Sequence, residues 1–238
     1  MSTAVAGPGP TPRHLTLAEF AVDELRQRIV LGELQAGSRL EIDHLAKQLG
    51  SSRIPLREAV RQLEAEGLII NNPRRGVLVC EIRAQDIDDA YDLLEFAESL
   101  ALRRTAKCIT PEVIERMRFW SEEIRRLEDQ PGSVEMLLAH RAFHFMTFEA
   151  IDDGPLLRHL KMLWYSCERY IVAAMREQPR VHARGHDHEN FVALLASGEN
   201  VSELHRAIRL HLRASRARAH SALDVALNHP GEDGDVMA

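Results

Sequence analysis

Thiols, aromatic rings and long apolar runs are all scarce in this chain. Only three cysteines occur in its 238 residues, Cys80, Cys108 and Cys167, and none forms a CxxC pair. This excludes a disulfide framework and fits a reducing compartment, with all three thiols expected as packing residues. Aromatic residues make up 5% against an apolar fraction of 45%, the balance of a soluble, mostly helical protein of two domains. No apolar run is long enough to span a bilayer, so no membrane partner is expected. The stretch from Met1 to Pro12 is small and Pro/Gly-rich and lacks the basic-then-apolar pattern of a secretion signal. A cytoplasmic location with a frayed first dozen residues is therefore expected. An HExxH motif is also missing, and no carboxylate stands beside the most suggestive histidine pair in sequence, which weighs against a metal-dependent hydrolase.

An overall positive charge is lacking too, because the net charge is −6. Its distribution is uneven: eleven basic residues meet ten acidic ones up to Arg83, a balance of +1, and nineteen meet twenty-six beyond it, a balance of −7. The acidic second part is no DNA surface. If the first part binds DNA, affinity must come from locally placed arginines and from two copies acting together, which points to a homodimer.

The motif that is present lies between Leu40 and Gly67, LEIDHLAKQLGSSRIPLREAVRQLEAEG. Ile42, Leu45, Ala46 and Leu49 form one helical stripe, Gly50 ends it, and Ser51 and Ser52 offer N-cap oxygens to a second helix with Pro55 in its first turn. That helix buries Leu56, Ala59, Val60 and Leu63 and turns Arg53, Arg57 and Arg61 outward at four-residue intervals, an arrangement suited to a major groove. Leu68–Ile70 and Val77–Val79, joined by NNPRRG, read as a β-hairpin wing. A preceding amphipathic helix runs from Leu17 to Leu31 and stops at Gly32, and Gln35–Ser38 is a turn. Each arginine alone reads equally as a solvated helix face; their coincidence with a capped turn and a basic wing tip favours nucleic acid.

From Leu17 to about Val79 these residues resemble the winged-helix domain of GntR-type bacterial transcription regulators. The resemblance implies base and phosphate contacts by Ser52, Arg53 and Arg57, with Arg61 continuing the row, and minor-groove or backbone contacts by Arg74, Arg75 and Gly76. Asp43 and Ile54 stand where relatives often carry polar or basic residues, implying a different operator.

Beyond Ala84 the pattern changes to six helices: Asp86–Lys107, Thr110–Pro111 onward to Glu128, Ser133–Ala150, Pro155–Arg176, Val181–Ala196, and Val201 to about Leu227. The fold expected is mainly α: a winged helix-turn-helix domain over 13–80, an all-α bundle of about six helices over 84–227, and a disordered acidic tail over 228–238. Twelve histidines are present. His140 and His144, at i and i+4, share one helical face within reach of one metal, although such spacing also suits core histidines.

HRAFHFMTFEA, DHENFVALLASGE and AIRLHL resemble the three signature segments of the FadR C-terminal ligand-binding domain, FCD. The resemblance implies a divalent metal held by His144, His188 and His211, with His140 in place of the usual Asp. An all-imidazole set favours zinc, nickel or copper, zinc first. His182 and His186, also at helical spacing, are expected as surface residues. Around Gly198 the loop is one residue longer than in the family, which leaves His205 and His211 as competing registers. Leu94 occupies the place of the arginine that grips an effector carboxylate in relatives, which puts a simple hydroxy-acid or sugar-acid effector in doubt. The leading expectation is thus a homodimeric DNA-binding regulator of an inverted-repeat operator, controlled by a small and possibly anionic effector in a metal-containing helical domain. The alternatives are a metal-free pocket for a larger apolar effector and, more remotely, the hydrolase.

Overall fold

The computed structural model describes residues 15–148, 151, 154–177, 188–198 and 201–228. Among them are nine helices and one two-stranded sheet.

Helix α1 (Leu17–Val30) opens on a reciprocal cap: the Thr16 hydroxyl accepts from the Glu19 amide at 3.2 Å, and the Glu19 carboxylate accepts from the Thr16 amide at 2.8 Å. It lays Ala21, Val22, Leu25 and Ile29 into a core shared with α3. Helix α2 (Ile42–Gln48) ends where Gly50 turns left-handed at φ 58°, a conformation that a Cβ disfavours. Helix α3 (Arg53–Ala65) follows at once, with Leu56, Ala59 and Leu63 all 0% exposed. Ser52 has the extended backbone of an N-cap, but its side chain makes no capping hydrogen bond. The serine chemistry expected there is thus not used: Ser52 is exposed, and water is available to the first amides of α3.

Strands β1 (Ile69–Asn72) and β2 (Gly76–Val79) pair antiparallel, Ile69 opposite Val79 and Asn72 opposite Gly76. Their turn is tied by the Asn72 side-chain oxygen, which accepts from the amides of Arg74 (2.9 Å) and Arg75 (3.1 Å).

The second body holds α4 (Ala84–Thr105), α5 (Pro111–Arg126), α6 (Val134–Met146), α7 (Pro155–Glu177), α8 (His188–Ala196) and α9 (Val201–Asn228). Helices α4, α7 and α9 pack mutually around Leu94, Leu160, Trp164 and Leu212, while α5 packs on α6 and α8. Pro111 and Ser133 start their helices as their chemistry predicts, Ser133 accepting from the Met136 amide at 3.1 Å, whereas Thr110 holds the N-cap position without a side-chain capping hydrogen bond. Helix α6 stops at Met146, short of the expected Ala150, and the Thr147 hydroxyl donates to the His144 carbonyl at 2.7 Å. The expected start of α8 at Val181, His182, His186, Ala150 and the tail beyond Asn228 lie outside the described residues.

The two bodies meet along α7. Val30 and Leu31 at the end of α1 form a small apolar cluster with Leu137 and Val172. Around it, the Ser166 hydroxyl donates to the Glu66 carbonyl (2.6 Å), Arg169 to the carbonyls of Cys80 (2.9 Å) and Glu81 (3.0 Å), and Arg176 to that of Leu31 (2.6 Å). Within the first body Arg26 and Glu66, both buried, form a two-pronged pair at 2.9 and 2.7 Å, with the Arg26 guanidinium 4.0 Å from the Tyr165 ring centre.

Candidate DNA-reading face and metal centre

Helix α3 turns three exposed arginines, Arg53, Arg57 and Arg61, along one side because their spacing of four residues nearly matches the helical period. They line a single groove together with Gly76 of the wing and with Arg39 and Asp43. Ser52 stands exposed at the groove's end, and Arg74 and Arg75 are exposed at the wing tip. Gly76 holds a φ of 82°, and a Cβ there would meet the Arg39 guanidinium at 3.4 Å. The left-handed backbone, and not that ordinary contact, ties the wing's glycine to its turn.

Arg39 has no counterpart in the sequence expectations. It sits before α2 in no helical pattern and reaches the groove through an isolated bridge to Leu78. Asp43 pairs with Arg53 at 2.6 Å. Both partners are mostly exposed, so water and salt weaken the pair and a phosphate can replace the carboxylate. Ile54, 72% exposed beside them, offers an apolar surface of the kind that meets a thymine methyl.

In the helical body four histidines converge from three helices. Helix α6 supplies His140 and His144 one turn apart, α8 begins with His188, and α9 contributes His211. One ligand atom from each lies within 4.8 Å of all the others. Metal–nitrogen bonds of about 2.0–2.1 Å set tetrahedral ligand nitrogens about 3.4 Å apart, so closing the set on one ion needs movement on the order of 1 Å. Burial, reinforced by the Arg218 charge, pushes the His188 imidazole down to about 3, which favours the neutral form that a metal ligand needs. His205, the competing register on α9, is not in the cluster and lines an outer groove with Arg103 and Arg209.

Trp164 of α7 forms one wall, its ring centre 4.4 Å from that of His144 and 5.9 Å from that of His140. Its indole N–H donates to Glu98 Oε1 at 2.6 Å. Glu98 is 2% exposed, and burial pushes its carboxyl up to about 8 despite that bond. No carboxylate stands beside the His140–His144 pair in sequence, but the fold brings Glu98 to the same cavity as His144, His188 and His211. It arrives from α4, forty-two positions before His140, and no local spacing signals it. One turn before it Leu94 is 0% exposed, so α4 brings no cation to this place. The cavity measures about 340 Å³, and Phe143, Phe191 and Ile208 contribute its apolar wall.

The thiols divide. Cys167 is buried and Cys80 partly so, but Cys108 is exposed just beyond the end of α4, which corrects its reading as a packing residue. The chain turns there toward Thr110 and no element covers it.

Residues 17–79 match the family model described as bacterial regulatory proteins, gntR family, and residues 89–214 match that of the FCD domain. The chain is 30% identical over 155 residues to the uncharacterized HTH-type transcriptional regulator YdhC of Bacillus subtilis (strain 168), covering 65% of this chain and 66% of that one. It is 29% identical over 226 residues to the uncharacterized HTH-type transcriptional regulator BphR of Paraburkholderia xenovorans (strain LB400), covering 90% and 89%. In fold it is similar to the solved structure of E. coli McbR/YncC, with a TM-score of 0.76 over 88% of this chain and 99% of that chain at 18% identity. No helix among the described residues is long and apolar enough to cross a membrane. The chain belongs to the gntR family of bacterial regulatory proteins, with a C-terminal FCD domain, and is a transcription regulator, not an enzyme.

Proposed function

We propose that this regulator acts in the cytoplasm as a homodimer. Each winged helix reads one half of an inverted-repeat operator, and a small effector in the histidine-lined cavity controls binding. The observation that carries this is the convergence of His140, His144, His188 and His211 on one point inside a bundle whose α7 also grips the winged helix. On the DNA side, Arg53, Arg57 and Arg61 enter the major groove, Ser52 and the amides of the first turn of α3 meet phosphate, and Arg74, Arg75 and Gly76 follow the backbone or minor groove. Arg39 joins them from the groove wall. A near-neutral reading domain gains little from a general field, so two heads on half-sites about one helical turn apart supply the specificity.

On the effector side the four imidazoles would hold a divalent ion, zinc before nickel by ligand type. Such an ion supplies a positive centre that attracts an anionic group. Trp164 holds the His140–His144 face in place, and Glu98 accepts from its indole. The convergent donor set favours this reading over a metal-free pocket for a larger apolar effector.

The test is metal analysis of the protein purified without chelator, combined with light scattering and operator selection from random duplex DNA. One equivalent of zinc or nickel per chain, a dimer at micromolar concentration and a palindromic consensus are expected. A metal-free protein, or a monomer that binds one operator tightly, would refute the corresponding part.

A further inference from the structure

Helix α4 carries two apolar stripes, and the bundle uses one of them. Ile87, Tyr91, Leu94, Ala101 and Leu102 face the core. On the opposite side Leu93 is 56% exposed, Phe96 is 68% exposed and Leu100 is half-buried. These three stand at i, i+3 and i+7, the spacing of a seam that a second helix covers. Single exposed apolar side chains are ordinary on a surface, but three in line on one helix face are not. One groove is lined by Leu93 with Leu163 and Ile70, another by Phe96 with Arg209 of α9, so α4 stands as a ridge between them.

The charges along this ridge are sorted. Asp88 and Asp92 pair with Arg216 of α9, whereas Asp89, one turn before Leu93, is exposed and accepts from the neutral Gln85 amide at 2.8 Å. Arg104, one turn after Leu100, is exposed at the other end. No ion pair among the described residues engages Asp89 or Arg104. The helix dipole accounts for acids near the start and bases near the end of α4, but not for the apolar seam between them.

A helix face that runs from acid through apolar to base is complementary to itself turned end for end. In an antiparallel pair with Leu93 opposite the partner's Leu100, Phe96 sits beside the twofold axis. Asp89 then falls opposite the partner's Arg104, because both pairs are centred on the same point between positions 96 and 97, and each contact occurs twice. The two starts of α4, where the reading domains attach, lie about 25 residues of helical rise apart, roughly 38 Å, against about 34–36 Å between half-sites one turn apart.

We propose that the outer seam of α4 is the dimer interface of this protein, occupied by α4 of a second copy in antiparallel array, with Phe96 at the centre and an Asp89–Arg104 pair at each end. This rests on the proposal that the regulator is a homodimer, and it names the surface. The apolar centre supplies affinity, and the sorted charges exclude the parallel arrangement, in which like ends face each other.

The experiment compares full-length wild type, Phe96→Glu, Arg104→Glu, and the exchanged pair Asp89→Arg with Arg104→Glu, by sedimentation equilibrium from nanomolar to micromolar concentration. Wild type should be dimeric at micromolar concentration. Phe96→Glu should raise the dimer Kd at least about a hundredfold and keep the wild-type helicity, since this side chain is mostly exposed in the single chain. Arg104→Glu sets carboxylate against carboxylate twice and should raise the Kd about tenfold, and the exchanged pair, which restores opposite charges, should return it to within about threefold of wild type. That rescue is a result which a merely local effect on α4 does not give, and it carries the comparison if Phe96→Glu does not fold. A wild-type dimer indifferent to Phe96→Glu, or an exchanged pair no tighter than Arg104→Glu alone, overturns the proposal and leaves the homodimer with its interface elsewhere on the chain. A monomeric wild type overturns the homodimer itself, and the seam as its interface with it.

Discussion

Glu98 gives the metal-free protein a pH dependence opposite to that of most carboxylates. Its unfolded value is 4.5, while burial beside Trp164 lifts the folded value to about 8. Between these limits the folded chain keeps a proton that the unfolded chain has released, so stability is fully present below pH 4.5 and is lost as pH rises through 8. At about 1.4 kcal/mol per pH unit the full window is worth on the order of 5 kcal/mol. His188 acts on a different limb: its folded value of about 3 against 6.5 unfolded means that stability is lost as pH falls below 6.5, and it is flat above. From pH 6.5 to 8 the His188 contribution is flat, and that of Glu98 amounts to about 2 kcal/mol. Urea unfolding of chelator-treated wild type and Glu98→Gln at half-unit pH intervals reads this directly. Wild type should lose about 2 kcal/mol relative to the variant over that interval, and the difference should shrink when zinc is restored, because a nearby cation favours the carboxylate. Parallel curves for the two proteins without metal would refute the buried, protonated Glu98.

Three further outcomes are expected. Arg57→Ala should cost about 1 to 3 kcal/mol of operator binding and relax base preference, whereas Arg75→Ala should weaken binding evenly across sequences; anisotropy titrations on operator and scrambled duplexes separate the two. His144→Ala should lose stoichiometric metal by elemental analysis and most of the effector response while leaving effector-free DNA affinity nearly unchanged. Arg169→Met, which removes two donors to the end of the wing, should reduce the effector-induced change in operator affinity with metal content unaltered.

What was legible in the sequence is what short-range chemistry decides. Gly50 between two apolar stripes, the NNPRRG turn and the Thr110–Pro111 start each act within a few residues, and each lies where that chemistry puts it. The His140–His144 pair is legible for the same reason, since one helical turn aligns the two rings. Glu98, Trp164, Arg39 and Arg218 belong to another class. Glu98 and Trp164 meet across sixty-six positions, and a glutamate on a long helix carries no mark of whether it faces water or an indole. Arg218 stands in ASRARAHSA among arginines of similar spacing, and only the packing of α4 and α7 on α9 separates the buried one from Arg216, which pairs with Asp88 and Asp92 at the rim. Cys108 errs in the opposite direction: a thiol is usually buried, but a turn at a helix end has nothing to bury it.

Helix α7 joins the two bodies through groups that are otherwise hard to satisfy. Leu31 and Glu66 are the C-terminal caps of α1 and α3, where carbonyls lack intrahelical partners and the helix dipole is negative. Arg176 donates to the first and Ser166 to the second, while Arg169 takes the two carbonyls that follow β2. The helix-turn-helix and its wing are therefore held at the ends of three elements by donors on one rigid rod. The same rod presents Trp164 to His140 and His144, two residues before Ser166, and Glu168 to Arg141 at 2.6 Å, one residue before Arg169. A displacement of α6 would bear on Trp164 and Glu168 of α7, and directly on Val30 and Leu31 of the reading domain through Leu137. The coupling then passes through that apolar contact and through the α7 donors on their carbonyls, hydrogen bonds each worth about 0.5 to 1.5 kcal/mol and more where the donor is an arginine.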